Sequence, residues 1–364
     1  MIEVFQIDTG PLLKDTDSAS YYAAVSGGAD STAMLAMLCQ TVEIKQHLTC
    51  IHIEHGIRPP EESLADAAFV EGLCKRLGIP CITKHIEQGL IAEYARQHNL
   101  GIEAAARKFR YDAFVEIITK GTAEPADPVG AGRALPLQRA PQKIYLFTAH
   151  TKDDLLETIT MRFLRGSGPA GLAGIQEKRQ LTDNIILYRP LLYISRSDII
   201  EYLHEKHIEY ISDKSNNDTA FLRNRIRLSL MPLLDKAFPG WREAAFGLGQ
   251  TQDYTASFIA DEARARVQWT VGADNHPPPN KGQNKNHSPR NYMFTPAKQF
   301  FTQPEIIREE AIFQAADMLL PDNANDIRRK QVRRFCLGEG RGACRCVEVG
   351  AVRLERSRGE VRVL

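Results

Sequence analysis

SYYAAVSGGADSTAMLAML, residues 20–38, is the stretch that decides the fold. The aromatic and apolar run YYAAV predicts a strand over 21–25, and STAMLAML has the apolar spacing of a helix over 31–39. Short apolar runs continue to alternate with helical periodicity up to about residue 215, which is typical of an α/β doubly wound domain with a parallel sheet. Further strands are predicted at 48–54, 80–86, 143–149 and 185–189, and further helices at 61–77, 90–98, 102–119, 153–165 and 196–207.

A chain of 364 residues is long enough for two or three domains. The sheet domain is predicted over 1–215, a mainly helical domain over 216–335, and a short basic β unit over 336–364. Residues 121–142, rich in Pro, Gly and Ala, predict a long insert, and the Pro- and Asn-rich residues 272–291 predict a disordered loop. Helical periodicity in the second domain covers 219–236, 240–270 and 303–319.

The composition is that of an ordinary globular protein, with 43% apolar and 25% charged residues. It argues against collagen-like, coiled-coil and wholly disordered chains. No apolar run approaches the roughly 18 residues of a membrane span, and the first residues lack the order of a secretory signal, so we expect a cytoplasmic protein without a membrane partner. The net charge of +1 gives no global sign of an acidic partner, and seven cysteines argue against a disulfide scaffold.

The turn after the first strand has the composition of a phosphate-binding loop. A turn between a strand and a helix gathers backbone N–H groups at the positive end of the helix, which suits a phosphate or pyrophosphate. The glycines allow close approach of a ligand, the serines can donate hydroxyl hydrogen bonds, and the aspartate can hold magnesium. The alternative is an ordinary turn whose polar side chains only cap the helix. The predicted nucleotide contacts are Ser26, Gly27, Gly28, Ala29, Asp30 and Ser31.

Polar residues also follow two other predicted strands. His52 and His55 end the second strand, at the sheet edge where nucleotides bind in open α/β sheets. His150, Asp154 and Glu157 follow the fourth strand with the i, i+4, i+7 spacing of one helix face. An imidazole can bond a developing anion, and a carboxylate can hold magnesium or orient an amine. The alternatives are structural histidines and an acidic first turn that complements the helix dipole.

The segment 101–114 places Glu103, Arg107 and Arg110 on one helical stripe. Beside a nucleotide site, the glutamate could bind an ammonium group and the arginines a carboxylate, so the stripe could recognise a zwitterion. The alternative is a surface ion pair worth a few tenths of a kcal/mol.

Five motifs occur in order between residues 20 and 240: SGGADS at 26–31, AHTKDD at 149–154, RGSGPAGL at 165–172, RPLL at 189–192 and SNNDTAFLRNRIR at 215–227. Together they resemble the tRNA(Ile)-lysidine synthetase family. The first alone indicates only the PP-loop superfamily of adenylating enzymes, and the others narrow the resemblance. The resemblance implies that ATP, bound with magnesium, adenylates the wobble cytidine of an isoleucine tRNA with a CAU anticodon. Free L-lysine then displaces AMP to give lysidine.

The same resemblance implies residue roles. Residues 26–31 would bind ATP, with Asp30 helping to hold magnesium, and His150 and Asp154 would act at the adenylated cytosine and the incoming lysine. In the family, many members have a second histidine where this chain has Thr151, so a role of the second imidazole does not carry over to this chain, whereas that of His150 does. A group of arginines in the last motif would steady phosphate or tRNA: Arg223, Arg225 and Arg227.

Charge in the last 37 residues supports an RNA partner, because residues 328–364 contain 11 Arg or Lys against 4 Glu. Two other functions stay open. A tRNA thiolase of the 2-thiocytidine type shares the loop but needs reactive cysteines or an iron–sulfur centre, and here Cys344 and Cys346 form only a CxC pair with Cys336 nearby. A non-catalytic nucleotide-binding or RNA-binding module would use the loop without turnover.

Overall fold

A computed structural model of the chain describes nine segments. The predicted insert at 121–142 and the predicted loop at 272–291 lie outside the described residues except at their ends, and so does Cys344. Among the helices of the described segments, none has both the length and the apolar character needed to cross a membrane. The described segments are 19–56, 60–123, 143–212, 222–274, 290–319, 329–337, 346–349, 352–357 and 359–364.

The first of two compact units comprises Met1–Gly166 and Gly174–Gly247. Its six-stranded sheet has the order β3-β2-β1-β4-β6-β5, and every pairing is parallel except that of the edge strand β5 with β6. All five predicted strands are confirmed, whereas β5 is short, polar and exposed and carries no strand signal. The strands are β1 (Ser20–Ala24), β2 (Leu48–Glu54), β3 (Cys81–His85), β4 (Ile144–Phe147), β5 (Lys178–Gln180) and β6 (Ile185–Tyr188).

Hydrophobic cores cover both faces of this sheet. Successive residues of β1 alternate between them, because side chains of a strand point to opposite faces. Tyr21 packs on one face with Leu35, and Tyr22 packs on the other with Phe114. The predicted doubly wound α/β fold is therefore confirmed. The helices up to Arg266 are α1 (Ala29–Leu38), α2 (Val42–Lys45), α3 (Pro60–Leu77), α4 (Leu90–Gln97), α5 (Ile102–Ala123), α6 (Lys152–Leu164), α7 (Pro169–Leu172), α8 (Arg196–Glu205), α9 (Leu222–Arg225), α10 (Met231–Ala237) and α11 (Trp241–Arg266), with a π-helical turn at Ile226–Leu230.

The second unit comprises Ser167–Ala173 and Leu248–Leu364. Its antiparallel sheet has the order β7-β8-β11-β10-β9, so the predicted terminal strands share one sheet with two strands that the sequence does not predict. Those two strands flank the Pro- and Asn-rich segment, whose composition masks their signal. The elements are β7 (Thr270–Asp274), β8 (Arg290–Pro296), α12 (Ala297–Phe301), α13 (Glu305–Leu319), α14 (Arg329–Cys336), β9 (Cys346–Val349), β10 (Val352–Ser357) and β11 (Glu360–Val363).

The division into units differs from the predicted boundary between residues 215 and 216. Residues 222–247 belong to the first unit, because Ile226 and Met231 are buried against Leu156 of α6. The domain assignment by function stays a prediction. What matters for the site is that β1, β2, β4 and β6 run parallel, so their carboxyl ends meet at one edge of the sheet.

Candidate active site

The predicted phosphate loop connects β1 to α1 in a conformation held by its own side chains. Gly27 has a φ of +88°, a left-handed conformation that favours glycine. The hydroxyl of Ser31 donates to the Gly28 carbonyl (3.1 Å) and accepts from the Ser26 amide (3.2 Å). Gly28 is the N-cap of α1, and no side chain caps this end. The first amides of α1 therefore remain available to a ligand, as in phosphate-binding helix termini.

The loop is also supported from below. His52 is only 4% exposed, and its Nδ1 donates to the carbonyl of Val25 (2.8 Å), directly before the loop. The amide of Ile211 donates to the Gly27 carbonyl at 2.9 Å, which ties a distant segment to the loop. His52 was predicted to line the nucleotide site, and a direct contact stays a prediction. The structure gives His52 a supporting position.

Asp30 begins α1 and faces an unusual electrostatic environment. Its Oδ2 accepts from Nη1 of Arg196 at 3.1 Å, while Oδ1 is buried without a hydrogen-bond partner in the part of the chain that is described. Burial raises the pKa of Asp30 to about 6, the carboxylates of Asp154 and Asp153 add to the rise, and Arg196 opposes it. Asp153 and Asp154 act on Asp30 because the fold places the end of β4 beside the end of β1, as predicted from the sequence.

Thr151 and Asp154 form a capping box at the start of α6. The Thr151 amide donates to Oδ2 of Asp154 (2.9 Å), and the Asp154 amide donates to the Thr151 hydroxyl (3.4 Å). Thr151 stands where a second histidine was expected from the family resemblance, and here it fixes the backbone and the Asp154 carboxylate. The position therefore has a structural function in this chain.

Two carboxylates of α6 meet two arginines in a closely bonded group. Glu157 is only 1% exposed, and its carboxylate accepts from Nε of Arg223 (2.7 Å) and from Nε of Arg227. Oδ1 of Asp154 accepts from Nη2 of Arg223 at 2.7 Å. Burial alone would raise the pKa of Asp154, but Arg223 and the Thr151 amide outweigh it and lower the pKa. The Asp154 carboxylate therefore stays ionised at neutral pH, and the arginines are held in fixed positions.

Arg225 lies between these arginines in the sequence but is exposed. Arg223 and Arg227 are four residues apart and reach the same two carboxylates, so the motif RNRIR divides into two paired arginines and one that faces solvent. A tRNA or phosphate contact of Arg225 stays a prediction.

His150 is half-buried at the end of β4, and its Nδ1 lies 3.2 Å from the hydroxyl of Thr148. Burial lowers the pKa of His150 to about 4, partly offset by Asp154 and reinforced by Arg189. The imidazole is therefore neutral at neutral pH. It can accept or donate a hydrogen bond without adding a charge to the site.

The predicted charged stripe on α5 lies close to these groups. Nε of Arg110 lies 3.3 Å from Nε2 of His55, and the Arg107 guanidinium lies over the ring of Tyr111 at 5.1 Å. The charge of Arg107 also contributes to the low pKa of His150. Glu103 is exposed, and its negative charge contributes to the raised pKa of Arg223. The structure thus brings the stripe to the same sheet edge, while zwitterion binding stays a prediction.

Two further residues belong to this site and were missed from the sequence. Arg189 follows β6, is 4% exposed, and donates to the carbonyl of Gln176 at 2.5 Å. Arg196 pairs with Asp30, and its backbone amide donates to Oδ2 of Asp153 at 2.8 Å. Arg189 opens the RPLL motif, which was a usable signal, but nothing in the local sequence distinguishes Arg196 from a surface arginine.

Asp30 offers one oxygen ligand of the kind that magnesium prefers, because its buried Oδ1 has no hydrogen-bond partner in the described residues. The carboxylate oxygens of Asp153 and Asp154 already accept hydrogen bonds from arginines and backbone amides. A bound cation would favour the ionised form of Asp30, whose pKa is raised mainly by burial.

Most of the residues of this site lie in a part of the chain that is similar to known proteins. The profile of the PP-loop domain family matches residues 1–125 and 137–234. The chain is similar to the tRNA(Ile)-lysidine synthase of Treponema denticola, with 39% identity over 250 residues that cover 68% of this chain and 49% of that protein. It is also similar to the tRNA(Ile)-lysidine synthase of Bacillus licheniformis, with 36% identity over 60% of this chain and 41% of that protein.

The chain spans about half the length of the curated relatives it matches. Among solved structures, it is similar to the U34-tRNA thiolase NcsA from Methanococcus maripaludis with its [4Fe-4S] cluster. That similarity has a TM-score of 0.46 and 17% identity, and it covers 65% of this chain and 73% of that chain.

Proposed function

Because the chain belongs to the PP-loop family, we propose that it binds ATP at residues 26–31 and joins free L-lysine to the wobble cytidine of a tRNA(Ile) with a CAU anticodon. The products would be lysidine, AMP and pyrophosphate. One observation carries the proposal: the uncapped loop and Asp30 meet the arginine-bound carboxylates of α6 at one sheet edge. The names of the curated relatives support the substrate.

The loop supports binding of the ATP phosphates in a specific way. The first amides of α1 and the hydroxyl of Ser26 are hydrogen-bond donors without negative charge, while the Ser31 hydroxyl holds the loop by donating to the Gly28 carbonyl. Asp30, with its unpartnered Oδ1, would hold magnesium beside the phosphates. Magnesium would supply charge neutralisation for the departing pyrophosphate.

In the first step, the ring carbonyl oxygen of the cytosine attacks the α-phosphorus, and the bond to pyrophosphate breaks. A cytosine carbonyl is a weak nucleophile, so the step depends on orientation and on stabilising the charge of the leaving group. Arg189 and Arg196 are cations at this edge that can contribute such stabilisation. The arginines bound to Glu157 keep their position because their partners are fixed.

In the second step, the ε-amine of lysine attacks the ring carbon, AMP leaves, and the nitrogen loses a proton. The amine must arrive unprotonated, which a desolvated site favours. Neutral His150 can accept a hydrogen bond from the amine without repelling it. Glu103 and Arg107 of α5 would bind the ammonium and carboxylate groups at the other end of lysine.

The experiment is a single-turnover assay with ATP, magnesium, radiolabelled lysine and an unmodified CAU-anticodon transcript. We expect label in RNA and equal amounts of AMP and pyrophosphate, and we expect Asp30→Asn to abolish both. Asp112→Asn is the matched control, because its carboxylate is 60% exposed on α5 and pairs only with Lys108 in the described residues. Label without RNA dependence, or full activity of Asp30→Asn, would contradict the proposal.

Adding a sulfur donor in place of lysine tests the thiolase alternative. Of the cysteines that the alternative requires, Cys336 is buried, and burial raises its pKa to about 12, which makes it a poor nucleophile. Cys346 is exposed. Incorporation of sulfur into the transcript would contradict lysidine formation and support the thiolase function for this site.

We also propose a cytoplasmic location and a tRNA contact through the basic residues near the end of the chain. Arg333 of α14 pairs with Glu305 at 2.8 Å, so part of the cationic charge there is already neutralised by protein. A contact through the remaining arginines predicts that tRNA affinity falls as salt rises. Binding that is insensitive to salt would argue against it.

A further inference from the structure

Three cysteine side chains converge on one face of the first unit's sheet, at β2 and β3, and none of them is used above for catalysis. Cys50 lies on β2, Cys74 on α3 and Cys81 on β3, and their sulfur atoms all lie within 4.8 Å of one another. Cys50 and Cys81 are register partners in the pairing of β2 with β3, and Cys74 faces them from the helix that packs on both strands. Residues far apart in the sequence thus place three sulfur donors at one point.

The spacing of the sulfurs suits a thiophilic metal ion. A zinc ion bound at about 2.3 Å holds thiolate sulfurs about 3.8 Å apart, so the observed group needs only a small contraction. Thiolate donors select zinc or monovalent copper over magnesium and calcium. Cysteine is also an ordinary small core residue, and three such residues could simply pack together.

We propose that Cys50, Cys74 and Cys81 form a binding site for a thiophilic metal cation, for which zinc is the reference ligand. A divalent ion that binds three thiols displaces three protons and leaves one net negative charge on the group. Cys50 and Cys74 are buried, but Cys81 is half-buried and lies on the edge strand β3, which gives the ion a route to the site. The partly exposed sulfur also keeps some contact with water, which lowers the cost of burying that charge.

The nearest part of the nucleotide site is reached through His52, which lies two residues beyond Cys50 on the same strand face and bonds the Val25 carbonyl. The metal site is therefore separate from the loop but shares a strand with its support.

The test uses the reduced, tag-free full chain and begins with cobalt(II) as a spectroscopic substitute for zinc. We expect one equivalent of cobalt to give a thiolate-to-metal charge-transfer band that zinc then abolishes. The band should be lost in Cys81→Ser, which alters the partly exposed member. Cys39→Ser and Cys336→Ser are matched controls that should keep it, because neither sulfur belongs to the group.

A second measurement needs no variant, so it is unaffected if a substitution disturbs folding. X-ray absorption of the zinc-loaded wild-type chain should show three sulfur neighbours at about 2.3 Å. Coordination by nitrogen and oxygen only, failure to bind cobalt or zinc, or a band that persists in a folded Cys81→Ser variant would overturn the proposal.

Discussion

Replacing Asp30 by asparagine is expected to stabilise the ligand-free protein at neutral pH. In the folded chain, burial raises the pKa of Asp30 to about 6 from its ordinary 3.8. That difference corresponds to at most about 3 kcal/mol against folding when the group is ionised. Because the side chain is 22% exposed, solvent screening reduces the effect, and we expect a gain of about 1 to 2 kcal/mol in the free energy of unfolding.

The sign of the effect follows from proton binding. Below pH 3.8, Asp30 is protonated in the folded and the unfolded chain, so the group makes no difference. Between pH 3.8 and about 6, the folded chain holds a proton that the unfolded chain has lost, and wild-type stability declines as the pH rises. The advantage of Asp30→Asn should therefore grow across this window and remain constant above it.

Urea unfolding followed by circular dichroism at about pH 4 and about pH 7.5 measures this difference. Asp153→Asn is the matched control, because Asp153 accepts hydrogen bonds from Arg242 (2.9 Å) and from the Arg196 amide (2.8 Å). Its loss should lower the free energy of unfolding by about 1 kcal/mol at neutral pH, the opposite sign. A less stable Asp30→Asn protein at neutral pH, or a gain that is the same at both pH values, would refute the reasoning.

Three further substitutions test other parts of the site. Burial holds the pKa of His150 at about 4 against an ordinary 6.5, so wild-type stability should rise between these pH values, and His150→Gln should flatten that rise in urea titrations and reduce turnover with little change in tRNA affinity. Glu157→Gln should cost about 2 to 3 kcal/mol of unfolding free energy, measured in urea, because Arg223 loses a buried charged partner. Gly27→Ala should cost about 1 to 2 kcal/mol in the same assay, since its Cβ would lie 2.5 Å from Cδ1 of Ile211 at a φ of +88°.

The substitutions of Gly27 and Glu157 have matched controls in the chain. Gly28→Ala should be well tolerated in unfolding experiments, because the nearest atom to its new Cβ is Ser26 Oγ at 3.6 Å. Asp112→Asn should change stability by less than about 0.5 kcal/mol, as expected for an exposed pair with Lys108. For His150, a turnover that is unaffected in the variant would remove the residue from the proposed mechanism.

The sequence predicts the doubly wound domain well because strand and helix periods are local properties. The strands β1, β2, β4 and β6 are buried along most of their length, as expected for a sheet covered on both faces, and the loop after β1 lies where a glycine-rich turn predicts it. The sequence does not predict the ion pair of Arg196 with Asp30, which joins residues 166 positions apart. Only the tertiary fold brings the start of α8 to the start of α1.

Two other differences have local causes. Side chains of β2 point alternately to the two covered faces of the sheet, and His52 is buried on one of them. Its imidazole therefore bonds the Val25 carbonyl and supports the backbone of the loop. Thr151 interrupts the family pattern but satisfies the N-terminus of α6, a task for which threonine is well suited. Burial decides the role of His52 and helix capping decides that of Thr151, and residue type alone predicts neither role.

The division into two compact units has a practical consequence for fluorescence. The chain has two tryptophans, and each unit contains one: Trp241, whose indole donates to Asp235 at 2.7 Å, and Trp269, whose ring meets Phe300 edge-on. Replacing either indole by phenylalanine would leave a single emitter in one unit. Its emission would then report the melting of that half alone, so the two halves can be followed as separate signals in one intact polypeptide.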